Sequence, residues 1–243
     1  MSNKRFHEKF KKDVVDRWSC RSSISDIEKY LFSTYLTNNK LEVIEAGTAA
    51  GIFCFYLEDE LGFSKINAFD IIPEMIQIAK DKAKKKQSKV DFKQGDAADL
   101  KGFESNKFDY LIYLGQVLSM VPKDLFDQSI KEAHRIGKKD ATYIFSFLDW
   151  NSRWYNPILS FFINFVRLVT GRKVQKYYLP EVKKVDNSFN WLFFRKEQHG
   201  ILWGKKAKIL KKLKDSGFQI QKVYNEEEIT NRKGKIFYVI CTK

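Results

Sequence analysis

Val43-Ile44-Glu45-Ala46-Gly47-Thr48-Ala49-Ala50-Gly51 runs an apolar strand into a turn of small residues that opens a helix. Small residues let a ligand approach the backbone and the helix N-terminus closely. The glycines stand at 47 and 51, and the third glycine of a dinucleotide-binding G-x-G-x-x-G turn would fall on Ile52. That argues against a dinucleotide. Glu45 points the same way, because a carboxylate beside a pyrophosphate repels it, whereas it suits a ligand end bearing an ammonium group.

Outward from this turn, short apolar runs alternate with helical patterns, the signature of a parallel α/β sheet. Strands are expected at 41–46, 65–70, 90–94, 108–114, 141–147, 218–224 and 235–241, and helices at 51–61, 73–86 and 123–136. Pro73 presets a first helical turn, after which Met75, Ala79 and Ala83 recur on one face. Gly217 closes a later helix in which Ala207, Leu210 and Leu213 are spaced for burial. Two further marks follow the turn. Asp70, in Ala68-Phe69-Asp70-Ile71-Ile72-Pro73, ends the second strand, where a carboxylate can accept both hydroxyls of a ribose. Asp96, in Gly95-Asp96-Ala97, follows the third strand and can accept from an adenine amino group. Together the three marks make one nucleoside site at the carboxyl edge of the sheet. Each also has a purely structural reading: close packing for Gly47 and Gly51, a helix cap for Asp70, and a turn for Asp96.

Glu45-x-Gly47-x-Ala49-x-Gly51 resembles the acidic glycine-rich turn of the class I S-adenosylmethionine-dependent methyltransferases, in their small-molecule branch. Asp70-Ile71 resembles the family's ribose acid and its adenine-packing neighbour, and Gly95-Asp96-Ala97 its adenine-amino segment. Phe108-Asp109-Tyr110-Leu111-Ile112 resembles the fourth strand, with Leu114 to Val117 on the methyl-transfer face, and Gly217-Phe218 the start of the penultimate strand. The resemblance implies an α/β, doubly wound, Rossmann-like sheet of seven mostly parallel strands in the order 3-2-1-4-5-7-6, the last antiparallel. It implies S-adenosyl-L-methionine as cofactor, with Glu45, Ala46, Gly47, Ala49, Gly51, Asp70, Ile71, Met75, Asp96, Ala97, Leu114 and Gly115 binding it. Ala49 stands where the family has its middle glycine, and its methyl is expected to crowd the cofactor.

The domain reading is a helical lead over 1–40, a cofactor-binding core over 41–147 and 204–243, and an insertion over 148–203. The insertion holds four of the five Trp and 13 aromatic residues, so it reads as a lid over the acceptor rather than a passive loop. Its aromatics can stack on a sugar face or an aryl ring, and Arg153, Arg172, Lys173 and Arg195 can hold an anionic group; equally, the aromatics can build the insertion's own core or a homodimer contact. Residues 157–169 are too short to span a bilayer, leaving a buried lid helix or, with 167–173, a peripheral membrane contact. No Asn/Asp-Pro-Pro-Tyr segment follows the fourth strand, where the chain reads Leu114-Gly115-Gln116-Val117, which counts against amino methylation of nucleic acids. No acid stands there to join Asp149 or Asn151 around a magnesium ion, so no metal is expected. Candidate catalytic bases are His199, near the insertion's return, and Asp149, just past the fifth strand. For His199, an ordinary polar residue of the insertion is the alternative.

The 44 basic residues exceed the 30 acidic by 14, which invites a nucleic-acid reading. Only nine are Arg, the residue that direct base readout favours. The Lys clusters at 80–89 and 205–214 are polar faces of two separate helices, not one stripe. DNA is therefore not an expected partner, and RNA is disfavoured. Cys20, Cys54 and Cys241 cannot all pair and form no C-x-x-C, which fits a reducing compartment and no zinc. Residues 1–12 are basic with no apolar run after them, so a cytoplasmic protein is expected. The resulting expectation is methylation of a small-molecule acceptor, a hydroxyl of a sugar, lipid-linked or aromatic metabolite. An RNA methyltransferase and a catalytically silent cofactor-binding scaffold are the alternatives.

Overall fold

The structure, a computed structural model, describes residues 15, 18–152, 157–171, 174, 178–180, 184–185, 188–189 and 200–243. Helix α1 (Asp26–Tyr35) opens at Ser25, whose backbone N–H donates to the Glu28 carboxylate at 2.9 Å, so one side chain closes the first turn. Then follow β1 (Val43–Ala46), α2 (Ile52–Asp59), β2 (Ile66–Asp70), α3 (Pro73–Lys86), β3 (Asp91–Gln94) and β4 (Phe108–Tyr113). A single-turn helix α4 (Val117–Met120) precedes α5 (Phe126–Ile136) and the long β5 (Gly137–Asp149), which ends in a tight turn at Trp150–Ser152. Beyond it lie α6 (Pro157–Val169), β6 (Tyr178–Pro180), β7 (Lys184–Val185), β8 (Ser188–Phe189) and β9 (Gly200–Gly204). The chain finishes with α7 (Lys206–Asp215), β10 (Gln219–Asn225), α8 (Glu226–Thr230) and β11 (Ile236–Thr242).

The main sheet runs β3-β2-β1-β4-β5-β11-β10, with β11 antiparallel to both neighbours. Counted over the seven expected strands, this is the order 3-2-1-4-5-7-6 of the doubly wound α/β fold. Successive strand residues face opposite sides of the sheet, and the core divides accordingly. Ile44, Leu111 and Phe145 pack with Ile130 of α5 and Leu213 of α7 on one face. Val43, Ile112 and Ile144 pack with Leu31 of α1, Leu57 of α2 and Ala79 of α3 on the other. Helices α3 and α7, which carry the two Lys clusters, therefore lie on opposite faces, and their charges do not make a single basic track.

Two local expectations change. In α7 the buried residues are Ile209 and Leu213; Ala207 is exposed and Leu210 half-buried. Gly204 explains the choice, because the absence of a side chain there lets Ile209 pack where a Cβ would stand 2.6 Å from it. The return of the insertion is also part of the sheet. β9 pairs in parallel with the end of β5, Leu148 with Trp203 and Asp149 with Gly204, while β6 pairs antiparallel to β9. Ile201 and Leu202 are buried, so the boundary expected after 203 falls inside a strand.

Candidate cofactor site

β1, β2 and β4 run in parallel and end on one edge of the sheet, so the turns after them converge. The turn after β1 is built from left-handed backbone: Gly47, Ala49 and Gly51 have φ of 65°, 48° and 82°. A Cβ on Gly47 would lie 2.5 Å from a methyl of Val117, and one on Gly51 would lie 2.8 Å from the Phe92 ring. Ala49 is held in a conformation that costs a non-glycine residue roughly 1–2 kcal/mol. The reason glycine suits this middle position is thus the backbone conformation, a cause separate from the crowding expected of its methyl.

Asp70 holds the turn. Its Oδ2 accepts the Ala49 N–H at 2.8 Å and its Oδ1 accepts the Ile72 N–H at 2.9 Å. A carboxylate has about four acceptor positions, so orienting bonds and contacts to a diol are compatible. The helix-capping role is not what Asp70 performs, since the N-cap of α3 is Ile72 and it has no side-chain cap bond; Asp70 orients the turn after β1 and the segment before α3.

Glu45, on β1, is 2% exposed. Its Oε2 accepts the Thr48 hydroxyl at 2.8 Å and the Cys54 thiol at 2.8 Å. Burial pushes its carboxyl up to about 7, the Asp70 charge adds to the rise, and the two hydrogen bonds oppose it. Burial and the Glu45 carboxylate together push the Cys54 thiol well up. Asp96 is half-buried after β3, and its Oδ1 accepts the Ala98 N–H at 2.9 Å.

These groups line one cavity. Of the residues expected at the cofactor, Glu45, Gly47, Ala49, Asp70, Ile71, Met75, Asp96, Ala97, Leu114 and Gly115 face it. Ala46 and Gly51 lie behind it: Ala46 is buried core, and Gly51 is the tight contact with Phe92. Asp149 is not among the lining residues. Its carboxylate accepts the Asn151 N–H at 3.0 Å and the Ser152 hydroxyl at 3.4 Å, with Lys206 Nζ at 3.9 Å, so it secures the turn that leaves β5. His199 lies outside the described residues.

The cavity also has walls that sequence reasoning missed. Met120, Val121 and Pro122 come from α4 and the segment after it, next to Val117, itself expected on the methyl-transfer face; the segment starts from left-handed Gly115 and Gln116. Trp18 and Arg21 come from the N-terminal lead. The Arg21 guanidinium lies 5.0 Å from the Phe53 ring centre and 5.7 Å from that of Trp18. Its Nε donates to the Ser23 carbonyl at 3.1 Å and its Nη2 pairs with Glu28. No sequence signal marks Arg21, because Phe53 and the cavity are brought to it only by folding. No group of three or more potential metal-ligating side chains occurs among the described residues.

Residues 43–140 match the family described as Methyltransferase domain. Among solved structures, a SAM-dependent methyltransferase from Methanosarcina mazei is similar at 20% identity and a TM-score of 0.64, covering 91% of this chain and 99% of that one. One from Aquifex aeolicus is similar at 17% identity and a TM-score of 0.60, over 96% and 98% of the two chains. The [4+2]-cyclase SpnF shares the fold at 15% identity and a TM-score of 0.62, over 88% and 79%. A sequence search of the curated proteins finds no match. With the strand order and the acid-bearing strand ends in place, residues 43–140 are matched as a methyltransferase domain, and the chain has the fold of the similar S-adenosylmethionine-dependent methyltransferase structures.

Proposed function

We propose that the chain methylates a small-molecule acceptor, and that its own contribution to the reaction is positioning. The observation that supports this most is the distribution of charge around the cavity. Acids stand near the ends of β1, β2 and β3, and apolar side chains and Arg21 line the same cavity. That set fits the cofactor from end to end. Glu45 answers an ammonium group, Arg21 a carboxylate, Asp70 a ribose diol and Asp96 an adenine amino group. Ile71 and Met75 offer apolar faces to the purine.

The bound cofactor supplies an already activated methyl group. The chain therefore needs to hold an acceptor in line and keep water away, rather than perform covalent catalysis. Gly115, Val117, Met120 and Pro122 form the wall at the end of β4, where an acceptor would lie. An apolar wall excludes water without offering a competing nucleophile. Asp149, bound by its own turn and Lys206, has a structural role, and loss of methyl transfer in His199→Ala with cofactor binding retained would assign proton removal to His199. Calorimetry with S-adenosylhomocysteine and NAD tests the cofactor assignment, NAD being expected not to bind. Mass spectrometry of candidate acceptors incubated with S-adenosylmethionine tests the transfer.

One second reading has a specific basis. A fold hosts more than one chemistry, and the similar SpnF structure is named a cyclase. Cofactor binding without methylation of any acceptor, together with conversion of an acceptor to an isomer of unchanged mass, would favour that reading. RNA methylation is less well supported, since the Lys-rich faces of α3 and α7 lie on opposite sides of the sheet.

A further inference from the structure

Helix α6 is built inside out. Phe161, Phe162, Phe165, Leu168 and Val169 are spaced i, i+1, i+4, i+7 and i+8, which places them on one face, and they are 73%, 57%, 54%, 66% and 70% exposed. Arg167, on the opposite side, is 6% exposed. A soluble helix normally turns its apolar stripe inward and its charge outward.

We propose that this face docks on an anionic lipid surface. Charge selects that occupant. Residues 153–176 contain no Asp or Glu, while Arg153, Arg172, Lys173 and Lys176 flank the helix in sequence, within a chain of net charge +14. An exposed aromatic and aliphatic stripe beside basic residues is the composition of helices that lie in the headgroup layer. Length agrees, because 13 residues make a helix about 20 Å long, enough to lie flat, and no described helix is long and apolar enough to cross a membrane. A second copy fits less well. A strip about 20 Å long and one helix wide falls well short of the about 800 Å² per partner that a stable interface buries. Nucleic acid fits poorly, because Phe, Leu and Val offer no donors to phosphate.

Docking bears on the substrate. β5 ends at Asp149 on the same sheet edge as the cofactor cavity, and α6 begins at Pro157. A docked α6 therefore brings that edge toward the headgroups, and on the methyl-transfer reading above the acceptor is a lipid or lipid-linked molecule.

Flotation of the full chain with vesicles tests docking without relying on activity. The chain should float with phosphatidylcholine vesicles containing phosphatidylglycerol and much less with phosphatidylcholine alone, and high salt should weaken the binding. The double substitution Phe161→Ser/Phe165→Ser should lower vesicle affinity by at least about tenfold, and Phe165→Leu should retain it. S-adenosylhomocysteine binding by the double variant, measured by calorimetry, should be unchanged, which reports an intact fold. Equal flotation of wild type and double variant, or no flotation with any vesicle, overturns docking. So does a dimer in sedimentation velocity that the double substitution dissociates, or RNA binding that it abolishes. Loss of S-adenosylhomocysteine binding by the wild type would instead sink the cofactor reading and leave the vesicle result standing.

Discussion

The Asp70 carboxylate at the end of β2 accepts the backbone N–H of Ala49 in the turn after β1, at 2.8 Å. One side chain thus locks the turn that faces the cavity and presents the acid expected at the ribose. On the proposed cofactor site, binding and local stability are coupled through it.

Asp70→Ala should therefore weaken both. The Ala49 and Ile72 N–H groups lose their acceptor, and a lost hydrogen bond to a charged group costs about 1.5–3 kcal/mol. Asp70→Asn keeps one acceptor oxygen and should melt closer to wild type while still binding S-adenosylhomocysteine less well. Thermal melts and calorimetry on both variants separate the two effects. Wild-type melting of Asp70→Ala would show that the turn holds itself.

Ala49→Gly removes a Cβ from a residue at φ 48°. Relief of left-handed strain outweighs the entropic cost of glycine, so the variant should be more stable by up to about 1 kcal/mol, or about 2–4 °C in a chain of this size. Cofactor affinity should hold or improve. A lower melting temperature would mean that the alanine methyl makes contacts worth more than the strain.

What sequence could show and what it could not follow from range. The glycine turn, Asp70 and Asp96 are marked by local pattern, a strand running into small residues with an acid at a fixed place, and all three meet at the cavity. Leu210 and Ile209 are neighbours on an amphipathic helix whose burial is decided by Gly204, and only the fold brings that gap to Ile209. Arg21 and Trp18 are invisible for the same reason. The strain at Ala49 is a backbone property that residue identity does not disclose, and the outward face of α6 has the same periodicity as a buried one.

Glu45 should make cofactor binding depend on pH. Its ordinary value of 4.5 is raised to about 7 by burial. The free protein therefore holds the proton near neutrality, whereas a ligand ammonium requires the carboxylate. Affinity for S-adenosylhomocysteine should rise from pH 5.5 to about 7.5, with proton release on binding at the low end. The sign for stability is the reverse. A raised folded value means that stability is fully present below 4.5 and is lost as pH rises through about 7, by roughly 3 kcal/mol at most. Glu45→Gln should flatten both profiles. Calorimetry in two buffers of different ionisation enthalpy reads the proton release, and a pH-independent affinity for the wild type would remove Glu45 from the ammonium site.

Arg21 should discriminate between ligands that differ only in the amino-acid end. Its guanidinium is fixed by the Phe53 and Trp18 rings and by two partners, the Ser23 carbonyl through Nε and Glu28 through Nη2. A guanidinium has five donors, so Nη1 is available to a carboxylate in the cavity that it lines. S-adenosylhomocysteine carries that carboxylate and 5′-methylthioadenosine does not, while both keep the nucleoside. In the wild type the first should bind more tightly. Arg21→Met should lose about 1.5–3 kcal/mol for S-adenosylhomocysteine, roughly ten- to 150-fold, with little change for 5′-methylthioadenosine. Glu28→Gln, which loosens the guanidinium without removing it, should fall between. Equal losses for both ligands would show that Arg21 shapes the cavity wall and reads no charge, because a collapsed wall weakens nucleoside and amino-acid contacts alike. A loss confined to the ligand that carries the carboxylate has no such structural explanation.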